Sequence, residues 1–346
     1  MPVFSQAITL ADYAKQSNDP VIMKITMSLL ETMSILDDLP LVTNSALSVK
    51  GRRITNSDLP QTGWGRLNKT PASIKTTTKE YEEQASLIRE IIQVDRKLLA
   101  QKNWIDDPFQ VQIDGAMKSH MFSMNYSFFN NDPSDPINGN PDAWIGVRTR
   151  LRNPTQFGVE PSLRINCNGV DLTTAMTQAT VNTFFEYVAR ALAFLGSTDG
   201  RDCTGYTNWL TKERWERAIR IQGASSGFKT TMDDWGRQID KWRQMNVKDI
   251  GFNVGLMLDG ITPKPILPYT DDANGNDAGN SNFTSIVIVR YGDNYMKGWQ
   301  DSPLKPEYLG RSTEYGVYEN VLIDWAAGLV YPNTRSFVEL YNIKMS

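Results

Sequence analysis

An α+β chain is the fold class that this sequence predicts, and three observations lead to it. Residues from Phe109 to Phe128 carry apolar side chains at steps of three and four, the signature of one long amphipathic helix. The region from Leu172 to Leu258 continues mostly with helical runs. After residue 282 the texture changes to β-branched and aromatic pieces, TSIVIVRYG and then YGVYENVLIDWAAGLVYPNTRSFVELYNI, which favour strands. The chain has 346 residues, and at about 150 residues per domain this suggests roughly two domains. Its 40% apolar content can build a core without disulfides or metals.

Taken in order, Asn18 and Asp19 before Pro20 open a first helix, since Asn or Asp can cap free amides and Pro suits the first helical position. Ile22, Ile25, Leu29, Met33 and Leu36 share its face, and Asp37, Asp38 and Pro40 end it. Residues 41–79 read as a long two-stranded excursion carrying Lys50, Arg52, Arg53, Arg66, Lys69 and Lys75. A hairpin alone is marginal in water, so it needs a surface on this subunit or another. Tyr81, Ala85, Ile88, Ile92 and Leu99 predict a polar helix over 79–100. Asp107 and Pro108 then open the long helix, whose face also holds Ile113, Met117, His120, Met121 and Met124, and NNDPSDPINGNPD stops it.

In AWIGVRTRLR, Arg148, Arg150 and Arg152 alternate with Val147, Thr149 and Leu151, the period of a strand. Thr173 or Thr174 caps the next helix, which runs to Leu195 with Gly196 as its left-handed stop. Another helix spans about Asn208 to Ile221, and a third from Thr231 places Met232, Trp235, Ile239 and Trp242 together. Residues 270–282 form a polar loop.

The counts of reactive residues are restrictive. One histidine, His120, and two cysteines, Cys167 and Cys203, exclude zinc fingers, CxxC redox sites and disulfide scaffolds. Two thiols suit a reducing compartment, with a single disulfide between them left open. The net charge of −3 and pI near 5.4 give no global basic field. No stretch reaches the roughly 20 apolar residues of a membrane helix and no signal peptide opens the chain, so it reads as made in the cytosol.

Individual motifs favour structural readings. Gly223 to Gly227 matches GxSxG, but a nucleophile elbow needs a later histidine and His120 comes earlier, so a small-residue turn is preferred. His120 reads as a core or interface residue. Asp271, Asp272, Asn274, Asn276 and Asp277 have calcium-loop chemistry, yet Asp277 and Phe283 replace the required Gly and Glu, favouring a solvated loop. No phosphate-binding glycine motif occurs. The nine tryptophans fit a sugar-binding cleft or, more simply, core packing, and the three arginines fit phosphate binding or pairing with acidic neighbours. No catalytic, cofactor or metal site emerges.

The order of elements resembles a tailed-bacteriophage major capsid protein, closest to the podovirus-type shell proteins of the Hong Kong ninety-seven type fold. The likeness rests on the arm, on LPLVTNSALSVKGRRI and LPQTGWGRLN, on a long helix ending before PDAWIGVRTRLR, and on the terminal strand-rich pattern. It implies an N-terminal arm over 1–45, an E-loop over 46–80, a peripheral domain over 81–169 with its spine helix at about 107–129, an axial domain over 170–304, and a return to the peripheral domain over 305–346. It also implies pentamers and hexamers closing into an icosahedral virion capsid, assembled in the host cytoplasm around double-stranded DNA with loose non-specific contacts. A separate scaffolding protein, a portal and a decoration or stapling protein are the implied partners, with no membrane. Arg52, Arg53, Trp64, Arg66 and Lys69 are the assembly candidates. Some relatives crosslink through an E-loop lysine, for which Lys69 or Lys75 stand ready, but no partner motif is matched. The rivals are an encapsulin-like compartment shell and a carboxylate-based glycan-active enzyme.

Overall fold

The computed structural model describes residues 34–44, 46–53, 78–95, 97, 108–136, 139–223, 228–232, 238–253, 264–276, 282–302, 306–311 and 317–345. In chain order these hold α1 (Ser34–Asp38), β1 (Leu41–Thr43), β2 (Ser48–Arg53), β3 (Lys79–Gln84), β4 (Ser86–Asp95), α2 (Pro108–Asn130), α3 (Val147–Arg152), α4 (Pro154–Phe157), β5 (Arg164–Asp171), α5 (Gln178–Phe194), β6 (Cys203–Thr207) and α6 (Trp209–Gln222). There follow β7 (Phe228–Met232), β8 (Gln238–Trp242), β9 (Met245–Asp249), β10 (Phe252–Asn253), β11 (Lys264–Pro265), β12 (Phe283–Arg290), β13 (Lys297–Gln300), β14 (Pro306–Arg311), β15 (Tyr318–Val330) and β16 (Phe337–Lys344).

Two large sheets organise the chain. In the first, β15 pairs along one edge with β14 and β13, the latter continued by β1, and along the other with β4. Val321, Ile323, Trp325 and Ala327 alternate inward along β15 at the two-residue period of a half-buried strand. Ile92 and Val94 of β4 join them under α2, which buries Ile113, Met121, Met124 and Phe128. The second sheet has the order β5-β16-β12-β6-β9-β8-β7. Its β12 is buried continuously from Thr284 to Val289, as expected of a strand covered on both faces. Helices α5 and α6 pack there through Phe184, Phe185 and Trp215, with Trp242 stacked on Phe185 at 5.3 Å. The hairpin β2/β3 pairs in the register Ser48↔Gln84 to Arg53↔Lys79 and joins β4 through Ala85 alone.

The long helix, the helix over 209–222 and the strand-rich end match the sequence reading. Asn208 caps α6 by accepting from the Thr211 amide, and Gly196 adopts φ +68° after α5. The cap of α5 is Thr177, in a reciprocal box with Thr180, not Thr173 or Thr174.

Three expectations are corrected. Residues 79–95 are strands and not a helix, because Ile88, Glu90, Ile92 and Val94 also fit period two and β15 supplies ten paired residues. Residues 147–152 are a helix and not a strand. Thr231 and Met232 end β7 and residues 238–242 form β8, not one helix; in their pairing Phe228 is opposite Trp242 and Thr231 opposite Ile239. The last forty residues also divide: β14 and β15 complete the first sheet, but β16 lies in the second, between β5 and β12. Of the first helix only α1 is described, and the GxSxG residues 224–227 lie outside the described residues.

Candidate functional site at the root of the hairpin

The short helix α3 carries Arg148, Arg150 and Arg152. On a strand the three would share one face. A helix turns about 100° per residue, so Arg148 and Arg152 project within about 40° of each other and Arg150 leaves the opposite side. One and a half turns therefore feed two separate buried networks.

Arg150 enters the first network. Its Nη1 and Nη2 donate to both oxygens of Glu83 at 2.9 Å, a bidentate pair, and Nη1 also reaches the Tyr331 hydroxyl at 2.7 Å. Arg53, at the far end of β2, donates to Glu83 Oε1 at 2.9 Å, to the Tyr331 carbonyl at 2.8 Å and to the Phe157 carbonyl at 3.2 Å. Two arginines thus face one carboxylate, and aromatic rings take up the surplus charge: the Arg53 guanidinium lies 3.4 Å from the Tyr331 ring centre and 3.9 Å from that of Tyr81. Burial alone would raise the Glu83 pKa, but Arg150 and Arg53 more than offset it and hold the carboxyl below its usual range. The stem of the hairpin is pinned here to β15's exit and to α3.

Arg148 enters the second network. Its Nε donates to Glu339 on β16 at 2.9 Å, its Nη2 to Asp271 at 2.7 Å and to the Gly275 carbonyl at 3.0 Å, and its Nη1 to Asn130 at the end of α2 at 2.9 Å. Arg164 of β5 holds the other Glu339 oxygen at 2.9 Å, and Arg152 donates to the Gly275 carbonyl. Gly275 sits at φ +76°, and a Cβ there would meet Arg164 and Tyr341, so the turn that presents its carbonyl requires glycine. Burial pushes the Asp271 carboxyl up to about 6, with Arg148 opposing and Glu339 reinforcing the rise. Glu339 goes the other way: burial is outweighed by Arg148, Arg152 and Arg164. Burial, then repulsion from Arg148, lowers Arg152 to about 10. The loop read as solvated is therefore corrected at Asp271, which is fully buried, while Asp272 closes the turn by accepting from the Asn274 and Asn276 amides.

The remaining candidates are dispersed. Arg52 is exposed and pairs with Glu80. Arg53 is buried, and its guanidinium bonds Glu83, Tyr331 and Phe157 of its own chain, where it anchors the stem. Trp64, Arg66, Lys69 and Lys75 lie outside the described residues. His120 pairs with Glu90 on β4. Cys167 and Cys203 are free and buried, on strands separated by two others. Among the described tryptophans, Trp144, Trp215, Trp242, Trp299 and Trp325 are buried and Trp209 alone is exposed. No cluster of metal-ligating side chains occurs among the described residues.

No family model matches the chain, and no curated protein matches it in sequence. Solved structures do match. The holo-SrpI encapsulin complex of Synechococcus elongatus aligns over 90% of this chain and 87% of its own, at 11% identity and a TM-score of 0.56. A Microbacterium phage Oxtober96 structure aligns over 91% of both chains, at 12% identity and a TM-score of 0.52. This is the Hong Kong ninety-seven type shell fold. Within that fold the buried arginines of α3 occupy the place where the hairpin and the two sheets meet. The sequence signal for them was present in the R-x-R-x-R spacing, but it was read with the wrong period.

Proposed function

We propose that the chain is the major capsid protein of a tailed bacteriophage, assembling as pentamers and hexamers into an icosahedral shell around double-stranded DNA. The observation that carries this reading is the β2/β3 hairpin stem of a shell-fold subunit, held at its root by buried charge. A rigid root suits an element whose tip must meet a neighbour at a fixed angle, because closed symmetric assemblies repeat each contact. In this reading residues up to 45 form the arm, 46–80 the E-loop, α2 with the first sheet the peripheral domain, and the second sheet with α5 and α6 the axial domain, including the final strand β16. Arg52, Arg53, Trp64, Arg66 and Lys69 are the assembly candidates, Arg53 by holding the stem; a separate scaffolding protein, a portal and a decoration or stapling protein are the partners; and the subunit works by contact geometry without catalysis. The virion is its destination after assembly in the host cytoplasm.

The encapsulin match favours a second reading, a compartment shell loaded with protein cargo. The test is to replace residues 54–77 by a short Gly/Ser turn, which keeps Arg53 and Glu83, and to follow assembly by light scattering and negative-stain microscopy. The expected result is a folded subunit that closes no shells. Shells at normal yield would overturn the assigned role, and wild-type shells filled with protein cargo in place of genome would select the compartment.

A further inference from the structure

A third buried charge cluster lies at the segment that leads into the first sheet. Ile35, Leu36, Leu39 and Leu41 of residues 34–43 are buried apolar plugs. One end of this segment belongs to the first sheet: β1 runs parallel to β13, the Gly298 amide donates to the Pro40 carbonyl at 2.9 Å, and the Asn44 amide to the Gln300 carbonyl at 2.8 Å. The Leu41 and Leu39 side chains pack closely on Gly298, where a Cβ would lie 2.6 Å from Leu41 Cδ2. The other end is held by the second sheet through side chains. Lys248 on β9 donates to Asp37 at 3.1 Å and to Asp38 at 2.8 Å. Tyr206 on β6 donates to Asp38 at 2.8 Å and shares a 2.7 Å hydroxyl contact with Tyr291, which follows β12.

We propose that residues 34–43 are a strap that fixes the position of one sheet against the other, with Lys248 as its latch. The two attachments differ in kind. At β1 a backbone ladder and apolar plugs hold the segment, whereas at Lys248 one ammonium faces two carboxylates in a setting where all three are largely buried. Breaking such a pair by removing one partner is costly, because it strands buried charge. Burial already raises the Asp38 pKa in spite of Lys248, so the latch holds a carboxylate that is poorly solvated. This inference concerns the isolated subunit and stands whether or not the shell encloses a genome.

Lys248→Met is the test, read by amide hydrogen exchange on the full chain. The expected result is exchange at least tenfold faster at residues 39–44, with protection in β12 and β15 retained. Spin labels at Glu307→Cys on the first sheet and Arg201→Cys beside the second should show a broader distance distribution in the variant than in the otherwise wild-type pair. Unchanged protection at 39–44, or protection lost equally in both sheets, would overturn the proposal. If Lys248→Met gives no soluble subunit, the milder Asp38→Asn is read by the same criteria and the same two failures.

Discussion

Replacing Arg150 by Met removes the hub of the first arginine network while keeping most of its apolar stem. Arg150 and Glu83 have side chains only 4% and 10% exposed, and the variant loses the bidentate pair and the bond to Tyr331. Removing one partner of a buried pair costs about 3–5 kcal/mol. Arg53 stays within 2.9 Å of Glu83 and still neutralises it, so the lower end of that range, about 3 kcal/mol, is expected. The neighbouring Arg52→Met is the internal control: its pair with Glu80 is 70% and 79% exposed, and such surface pairs contribute about 0–1 kcal/mol. Urea unfolding followed by circular dichroism gives both numbers, and an Arg150→Met/Glu83→Gln cycle gives the coupling, expected to be about 2 kcal/mol or more. Exchange of the β2 and β3 amides should rise well before that of β12. If Arg150→Met costs no more than Arg52→Met, or if coupling to Glu83 is near zero, the hairpin is not held by this hub.

Other outcomes follow from the same coordinates. The Asp271 pKa is raised from 3.8 to about 6, so its contribution is fully present below 3.8 and is lost as pH rises through 6. Asp271→Asn should therefore gain stability relative to wild type between pH 4 and 6, as urea midpoints across that window will show, and a flat difference would contradict the burial argument. Glu83 and Glu339 have lowered values, so their contribution is lost on the acid side, below about pH 4.5. Cys167 and Cys203 are raised to about 12 and about 11 by burial, and two intervening strands with a further offset along them put them more than about 14 Å apart, beyond disulfide reach. A thiol reagent should label neither until urea unfolds the chain, and mild oxidation should not join them. Gly146→Ala places a Cβ 2.7 Å from the Phe129 carbonyl and 2.8 Å from the Asn130 and Asn131 amides, so a loss of about 1–3 kcal/mol in the melt is expected.

Much of the fold was legible in the sequence wherever one period dominated. The face of α2 and the β-branched run of β12 each admit a single reading. Misreadings occurred where two periods fit the same residues. Ile88 and Ile92 suit a helix at i, i+4 and a strand at i, i+2, i+4, and only β15, more than two hundred positions later, decides between them. Met232, Ile239 and Trp242 suit a helix from Thr231, yet Thr231 and Met232 pair across to β8. Arg148, Arg150 and Arg152 fit alternation, and what makes them helical is the presence of acidic partners on opposite sides, Glu83 on one and Asp271 with Glu339 on the other. Such partners are 67 to 191 positions away in sequence and leave no local mark.

Charge at these joints has a physical logic that apolar packing would not supply. Apolar contacts tolerate sliding and repacking, since their energy depends on area more than on direction. Bidentate and shared guanidinium pairs are directional, and when buried they penalise any arrangement that leaves a partner unpaired. Arg150 fixes the hairpin to β15's end, Arg148 fixes α2 to β16, and Lys248 fixes the strap to β9, so each joint between separately built parts is set by a geometry that admits one register. In the proposed shell, where errors of angle would be multiplied around a ring, a subunit gains more from joints of this kind than from a few further kcal/mol of core.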